Sequence, residues 1–484
     1  MPTTLFQTFN VARASSPCWR FRTSYFVGSA LRTAFSRFNK TVRSADPTRL
    51  NLVIALTLLV TLLPGCGPTQ NEMRAQHAVE AYLAGDFRQA VDRLRPLADN
   101  TDENFVLNNC RLGLAALADY DLDESESAFL KAYEVINSVG VNDGGRSIGA
   151  VLVDEKIKIW KGEPYERAMA NFYLGLVYYM RHDYNNARAA FENALFKLRD
   201  YGDDKDKKDD FRRVDSNFAL ASIMLGRCWQ RLGREDLATA NFQRATAFNP
   251  SLASLADSRA QGRSNVLLVV DFGRGPRKIT NFDGAIVGLG PTPAEEGPVP
   301  EPVVRVDGTP FPLAGLNRPP VDLLALAQDR RWQSIDTIRT VKSALGTGLI
   351  AAGAIDGLTD DRHRRIGMDL ALIGAGLLLK ATSQADVRQW EMLPRTVFLL
   401  PLKLSPGKHD ITVRFPGARG LSQAWRDLVV PAEGEATYYF HMQPYNSGPF
   451  YWPPPALARA TTSQTERAVS LQPAKSQADS DPHH

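Results

Sequence analysis

The residues that could carry chemistry are present, but they are scattered. The four cysteines, Cys18, Cys66, Cys110 and Cys228, form no CxxC pair that would indicate zinc binding or thiol redox chemistry. No HExxH or phosphate-loop motif occurs anywhere in the chain. The sequence therefore predicts no enzyme, no catalytic residue, no metal site and no cofactor. A catalytic group assembled only in space, such as an envelope hydrolase would need, remains an open alternative. The seven histidines are likewise scattered along the chain, at His77, His182, His363, His409, His441, His483 and His484.

The basic balance of the chain belongs to its first residues. Of 57 basic and 53 acidic residues, eight and one respectively lie within residues 1–65, so the rest of the chain carries a net charge of −3. A basic surface that attracts phosphate backbones is not supported for that part. We expect no nucleic-acid partner.

An apolar run leads directly into one of the cysteines. Residues 50–63 are largely apolar and too short to span a bilayer comfortably, as in the core of a signal peptide. The following Leu63-Pro64-Gly65-Cys66 resembles a bacterial lipobox, although Pro64 departs from its usual pattern. The resemblance implies a leader over residues 1–65, acylation of Cys66 and a lipid anchor in the cell envelope. The alternative is a buried cysteine. Gly67 resembles the signal for outer-membrane delivery, on the periplasmic face.

Small and aromatic residues recur at a fixed spacing in the middle of the chain. Gly175 and Gly226 each precede an alanine by twelve residues and a phenylalanine by sixteen, and residues 106–137 and 71–100 fit the same pattern less closely. The pattern resembles tetratricopeptide repeats, which are pairs of antiparallel helices. A single pair cannot bury its apolar stripe, so stacked pairs form a curved array with a concave face suited to binding. We assign residues 66–258 to this helical array.

The resemblance also implies which side chains line the concave face. We expect a groove that is apolar in the middle and cationic at its C-terminal end, suited to an amphipathic segment with an acidic group. The alternative is a groove filled from within, for which residues 150–160 are a candidate. The predicted partner-binding residues are Phe172, Leu176, Tyr179, Met180, Arg227, Gln230 and Arg231.

The C-terminal half has a different character. The apolar run at Ser264–Val270 predicts a buried strand, and alternating strand patterns follow it, separated by Pro/Gly turns. Together they predict a mixed, β-rich domain over residues 259–445. Within it, residues 344–381 form two short apolar, glycine-rich arms. They predict either closely packed helices or a hairpin that enters the membrane or lines an oligomer interface. Residues 446–484 are Pro-rich and then polar, which predicts a disordered tail.

Several motifs in order along the chain resemble one family of repeat-bearing bacterial envelope lipoproteins. They are GEPYER at 162–167 with Glu163, Pro164 and Tyr165, GPRK at 275–278, ADVRQWEMLP at 385–394 with Asp386, Arg388 and Trp390, and the turn at 405–407. The resemblance implies a place near peptidoglycan assembly, since members are often encoded near lipoproteins that activate penicillin-binding proteins. Each motif also has a purely structural interpretation: Pro164 can start a helix, and Asp386, Arg388 and Trp390 can form an ion pair with an aromatic lid.

Together these features predict an α+β protein in which an all-α repeat array precedes a β-rich domain. The predicted function is that of a lipid-anchored envelope adaptor, which binds a protein of the envelope machinery through its repeats and the membrane through its lipid. A membrane-inserted or pore-associated lipoprotein, acting through residues 344–381, is the alternative.

Overall fold

Helical pairs make up the first part of the structure. The computed structural model describes residues 69–137, 159–201, 213–215, 218–281, 286–292, 297–329, 388–417 and 421–442. The leader with Cys66, the segment 344–381, Asp386 and the tail at 446–484 lie outside these residues. Four helical pairs follow one another: α1 (Gln70–Leu83) with α2 (Phe87–Ala98), α3 (Phe105–Ala118) with α4 (Leu122–Asn137), α5 (Pro164–Met180) with α6 (Tyr184–Phe196), and α7 (Ala219–Arg231) with α8 (Glu235–Phe248).

The turn inside each pair has one geometry, which identifies the pairs as structural repeats. Gly85, Tyr120, His182 and Gly233 all have a positive φ. The next residue donates its backbone N–H to a carbonyl five positions back, over 2.8–2.9 Å in all four turns. The left-handed conformation favours glycine, so the tyrosine and the histidine at two of these positions need compensating contacts.

A glycine–phenylalanine contact fixes how closely the helices of three pairs approach. A Cβ at Gly113, Gly175 or Gly226 would lie within 2.6–2.8 Å of the ring of Phe129, Phe191 or Phe242. Only a residue without a Cβ lets the ring of the second helix lie against the backbone of the first. The spacing in the sequence therefore reflects a packing requirement.

The C-terminal part consists mainly of strands. After the short helix α9 (Ser258–Arg263), these are β3 (Val266–Phe272), β4 (Arg277–Asn281), β5 (Ile286–Gly290), β6 (Val303–Val306), β7 (Thr309–Phe311), β8 (Thr396–Leu402), β9 (Gly407–Arg414), β10 (Ser422–Val430) and β11 (Ala436–Met442). A short helix α10 (Leu323–Ala327) precedes β8, and a small hairpin, β1 (Arg199–Tyr201) with β2 (Arg213–Asp215), follows α6. One sheet has the order β11-β3-β8, with β11 parallel and β8 antiparallel to β3. A second has the order β10-β9-β6-β7, and β4 pairs with β5.

The three-stranded sheet is the middle layer of three. Every residue of β3 and β8 is buried. One face of β3, with Leu267 and Val269, belongs to the core shared with the helices, and the other, with Leu268 and Val270, packs towards the four-stranded sheet. This explains why these strands read as continuous apolar runs rather than as alternating ones. The predicted α+β class, with helical repeats before a sheet-rich part, is confirmed. None of the helices described here is both long and apolar enough to cross a membrane.

Candidate functional site

The concave face of the repeats is largely covered by the protein's own sheet. Phe172, Leu176 and Tyr179 are fully buried, in one core with β3, β8 and β11. Met180 is partly buried and packs against both cores. These four residues were predicted to line an open groove, and in the structure they do not. The alternative of a groove filled from within holds for this part of the face, where the sheet fills it. Of residues 150–160 the structure describes Ile159 and Trp160, and Trp160 is buried in the same core.

The predicted cationic end of the groove is neutralised by a carboxylate of the same chain. Glu435, 2 % exposed at the start of β11, accepts hydrogen bonds from Arg227 at 2.5 Å, from Arg231 and from the hydroxyl of Tyr179 at 2.9 Å. Burial alone would raise the pKa of Glu435, but Arg227 and Arg231 overcome this and hold it below its ordinary range. Gln230 donates to the Ser258 carbonyl at 2.9 Å. This cluster fastens the sheet to the last repeats.

A second polar cluster lies where the sheet meets the earlier repeats. Asp271 on β3 accepts hydrogen bonds at 2.6 Å from the hydroxyls of Tyr173 and Tyr439, and Tyr82 contacts Nδ1 of His441 at 3.0 Å. Burial raises the pKa of Asp271 to about 7 and lowers that of His441 to about 3. Both side chains keep one buried polar atom without a partner in the structure, Oδ1 of Asp271 and Nε2 of His441. The cluster is enclosed, so it serves the junction and is no open site.

Three of the four sequence motifs are brought together at this junction. Glu166 of GEPYER is buried and accepts hydrogen bonds from the backbone N–H groups of Glu163 and Trp390, each at 2.7 Å. Lys278 of GPRK pairs with Glu163 at 2.8 Å. Burial raises the pKa of Glu166 to about 7, against the opposing effect of Lys278. Pro164 begins α5, as its structural interpretation predicted, and Tyr165 is buried beside it.

The third motif holds the N-terminal repeats through backbone and aromatic contacts. Arg388 donates to the Glu103 carbonyl at 2.8 Å, and its own carbonyl accepts from the Trp160 indole at 3.1 Å. Trp390 is 2 % exposed and packs between Phe129 and Tyr173, with ring centroids 6.2 and 5.9 Å away. Trp390 is thus part of the core. The predicted ion pair with Asp386 lies outside the described residues.

Next to these motifs the concave face forms a cleft. It has a volume of about 590 Å³, within the range of about 300–1,000 Å³ typical of ligand sites. One wall is the inner side of α1 and α3, and the other consists of the β3–β4 loop and residues 388–391. The residues that line the cleft include Asn71, Gln76, Val79, Arg111, Arg274, Arg277, Arg388 and Glu391.

Several charges of the cleft are already compensated. Arg111 binds Glu391 through two hydrogen bonds of 3.1 and 2.6 Å. Lys278, which also lines the cleft, is the partner of Glu163. Arg277 by contrast is exposed at the beginning of β4. The cleft therefore combines fixed ion pairs with an exposed cation.

A serine, a histidine and an aspartate come together elsewhere, at two turns of the four-stranded sheet. His409 Nδ1 lies 2.7 Å from Asp307 Oδ2, and its Nε2 lies 3.3 Å from the Ser405 hydroxyl but 2.9 Å from the Ser405 carbonyl oxygen. A carbonyl oxygen can only accept, so Nε2 must carry a proton, as must Nδ1 facing the carboxylate. The Asp307 hydrogen bond accordingly raises the pKa of His409. An imidazolium in this position fastens the turns and cannot activate the serine as a base.

Sequence reasoning missed the residues that lock the sheet to the repeats. Glu435, Asp271 and His441 belong to no motif, and a charged residue at the end of the apolar run 266–270 is the one signal that could have indicated Asp271. Within the described part of the chain, no group of three or more His, Cys, Asp or Glu side chains is placed to hold a metal ion.

Comparison with known proteins adds little to this description. No protein-family model matches the chain, and no curated protein matches it. Among solved structures, one crystal structure of MamA shares 14 % identity over 39 % of this chain and 81 % of its own, and a second shares 17 % over 38 % and 75 %. Both have a TM-score of 0.25. Similarity at this level transfers no property of MamA to the chain.

Proposed function

We propose that the protein is a lipid-anchored adaptor of the cell envelope, which binds a protein partner in the cleft beside α1 and α3. The observation that carries the proposal is the division of the concave face. The sheet covers the side chains of the later repeats, including Phe172 and Tyr179, whereas the inner side of α1 and α3 borders a cleft. Stacked helical pairs present extended concave surfaces for binding.

The walls of the cleft support a binding role because they are held rigidly. Gly275 donates its N–H to the Leu393 carbonyl at 2.8 Å, and a Cβ at Gly275 would lie 2.9 Å from that oxygen. Arg388 is tied to the Glu103 carbonyl on the opposite wall. A site with fixed walls loses little conformational entropy when it binds.

The envelope location rests on the sequence. Cys66 follows a signal-peptide core, and the motif at residues 63–66 resembles a lipobox. The test is metabolic labelling with a fatty acid: the natural chain takes up label and fractionates with membranes, and Cys66→Ala does neither. Unlabelled natural protein that retains residue 66 as an ordinary side chain contradicts the anchor.

Partner binding is tested by a photo-cross-linking amino acid on one helix. Gln76 and Met73 are both exposed on α1, but only Gln76 lines the cleft. A cross-linker at position 76 of the full chain in cells should capture a defined polypeptide, and the same group at position 73 should not. A second arm replaces each residue by tryptophan: Gln76→Trp fills the cleft and abolishes co-purification of that polypeptide, while Met73→Trp leaves it unchanged. Equal capture from both positions, or co-purification that survives Gln76→Trp, contradicts the proposal.

A further inference from the structure

The two walls of the cleft differ in chemistry. On α1, the exposed amides of Asn71 and Gln76 lie near the apolar side chains of Val79 and Leu83. The opposite wall is cationic. Its basic residues come from the β3–β4 loop and from the stretch that precedes β8, and they are Arg274, Arg277, Lys278 and Arg388.

The amide wall fits a polypeptide backbone. A side-chain amide both donates and accepts, as a peptide bond does. Asn71 and Gln76 both line the cleft, and they project about 140° apart around the axis of α1, because each residue turns the helix by about 100°. The Gln76 Nε2 donates to Glu80 at 3.0 Å, and its Oε1 can accept from a peptide N–H. Amides on the two flanks of one helix face can bond to peptide groups of a segment that lies along that face. Val79 and Leu83 then offer apolar surface to its side chains.

The cationic wall favours a ligand with one negative charge over a polyanion. Glu72, Asp102 and Glu391 also line the cleft and would repel a highly charged ligand. Arg111 and Lys278 already have carboxylate partners. Arg277 is exposed, and Pro276 before it restricts the backbone that presents it. The planar fork of an arginine guanidinium matches the geometry of one carboxylate.

We infer that the cleft binds an extended polypeptide segment bearing a single carboxylate, which Arg277 contacts. The inference rests on the proposed function and specifies its ligand. The carboxylate comes from an aspartate or glutamate side chain or from the C-terminus of the partner, since both present the same group to the guanidinium.

The experiment selects peptides with the purified full-length protein. The probes are two libraries of randomised eight-residue peptides on beads, one with a free C-terminal carboxylate and one with an amidated C-terminus. Enrichment of Asp or Glu at one position in both libraries identifies a side-chain carboxylate as the ligand. Enrichment confined to the free-carboxylate library identifies a C-terminus. Selection of peptides without acidic residues, equally from both libraries, overturns the inference.

Charge reversal supplies the second arm. Arg277→Glu should weaken the selected peptides by about tenfold or more, which corresponds to the loss of a charge-assisted hydrogen bond, and should shift selection towards Lys- and Arg-bearing peptides. Arg305→Glu is the matched control, because Arg305 is also an exposed strand arginine and lies outside the cleft. Unchanged affinity in Arg277→Glu overturns the inference.

The two proposals can fail separately. If the partner still co-purifies with Gln76→Trp, the proposed adaptor function of the cleft is contradicted. If co-purification is lost in Gln76→Trp but kept in Arg277→Glu, only the proposed contact between Arg277 and a carboxylate is contradicted. Both variants change exposed side chains, so a thermal transition equal to that of the natural chain excludes a folding defect as the cause.

Discussion

At the residue scale, the junction between helices and sheet depends on a few buried charges. Glu435 is shared by two arginines and a tyrosine, and Arg227 is itself only 1 % exposed. A buried ion pair adds little net stability, but removing one partner leaves an uncompensated charge in the core. The carboxylate is therefore required by the arginines that surround it.

Replacing Glu435 should reveal this requirement. Glu435→Ala leaves Arg227 buried without its carboxylate, and we expect a loss of about 3–5 kcal/mol in the free energy of unfolding. Urea denaturation measures it. Glu192→Ala breaks a pair in which the glutamate is 46 % exposed, and it should cost less than about 1 kcal/mol. Equal losses of stability in the two variants would contradict the requirement for a carboxylate beside the buried Arg227.

The buried titratable groups make stability depend on pH with a definite sign. The folded state keeps a proton on Asp271 up to about pH 7, whereas the unfolded chain loses it near the ordinary value of 3.8. Stability contributed at this site therefore falls as the pH rises between those values. His441 acts in the opposite direction. Its imidazole binds a proton below about pH 6.5 in the unfolded chain but only below about pH 3 in the folded state, so stability rises with pH between these values.

Two substitutions separate these contributions. Asp271→Asn removes the titration at the carboxyl, so the variant should gain stability relative to the natural protein as the pH is raised from 4 to 7. His441→Gln should lose relative stability over the same rise up to pH 6.5, because it removes the opposite dependence. Thermal unfolding across this pH range measures both, and parallel curves for all three proteins would contradict the assigned protonation states.

At the scale of elements, strand β11 crosses the row of helical repeats. Glu435 at its start contacts the later repeats, Tyr439 in its middle exchanges hydrogen bonds of 2.7 and 2.9 Å with the Tyr120 hydroxyl, and His441 near its end contacts Tyr82 of α1. His182 contacts the Glu435 carbonyl at 3.1 Å. These contacts explain why a tyrosine and a histidine hold the left-handed turn position that glycine occupies in the first and last pairs.

The packing of each helical pair leads to a prediction about its glycine. The methyl group of Gly226→Ala would lie 2.6 Å from the Phe242 ring. We expect a destabilisation of about 1–3 kcal/mol from overpacking, although alanine has the better helix propensity by about 1 kcal/mol.

Chemical denaturation measures the free energy of unfolding of Gly226→Ala, and two further variants serve as a control and a rescue. Gly262→Ala in α9 would meet only Gln230 Nε2 at 3.5 Å, so it should be neutral or stabilising. Phe242→Leu together with Gly226→Ala should cost less than the sum of the two separate changes. Strict additivity would mean that the ring contact does not limit the approach of the helices.

At the scale of the whole molecule, the repeats and the sheet share one core. The described residues from Gln70 to Met442 belong to one compact unit, and Trp390, Leu399 and Tyr439 from the C-terminal part are buried among helical side chains. The repeats therefore complete their concave face with an internal sheet.

The shared core predicts how the protein unfolds. The natural chain should show a single calorimetric transition in which helix and sheet signals are lost together. Residues 70–258 expressed alone would expose the apolar inner face and should aggregate or lack a cooperative transition. A fragment that melts cooperatively at the temperature of the natural chain contradicts a shared core.

Local patterns predicted much of the fold, because they act over short distances. The glycine-to-phenylalanine spacing predicted the helical pairs, and the apolar run before Asp271 predicted β3 as a buried strand. Strand β8, with all seven residues buried, was not predicted, since an apolar run with an internal proline gives no periodic signal.

The sequence by itself determined the α+β class, the repeat spacing and the candidate anchor at Cys66, since each depends on a pattern of residues close together in the chain. Only the tertiary structure decided what the concave face contacts. Pairs such as Arg227 with Glu435, 208 positions apart, and Trp390 with Glu166, 224 apart, leave no periodic trace in the chain. Long-range pairing depends on which faces meet after the elements have formed. It placed predicted binding residues in the core and left a cleft between α1, α3 and the β3–β4 loop.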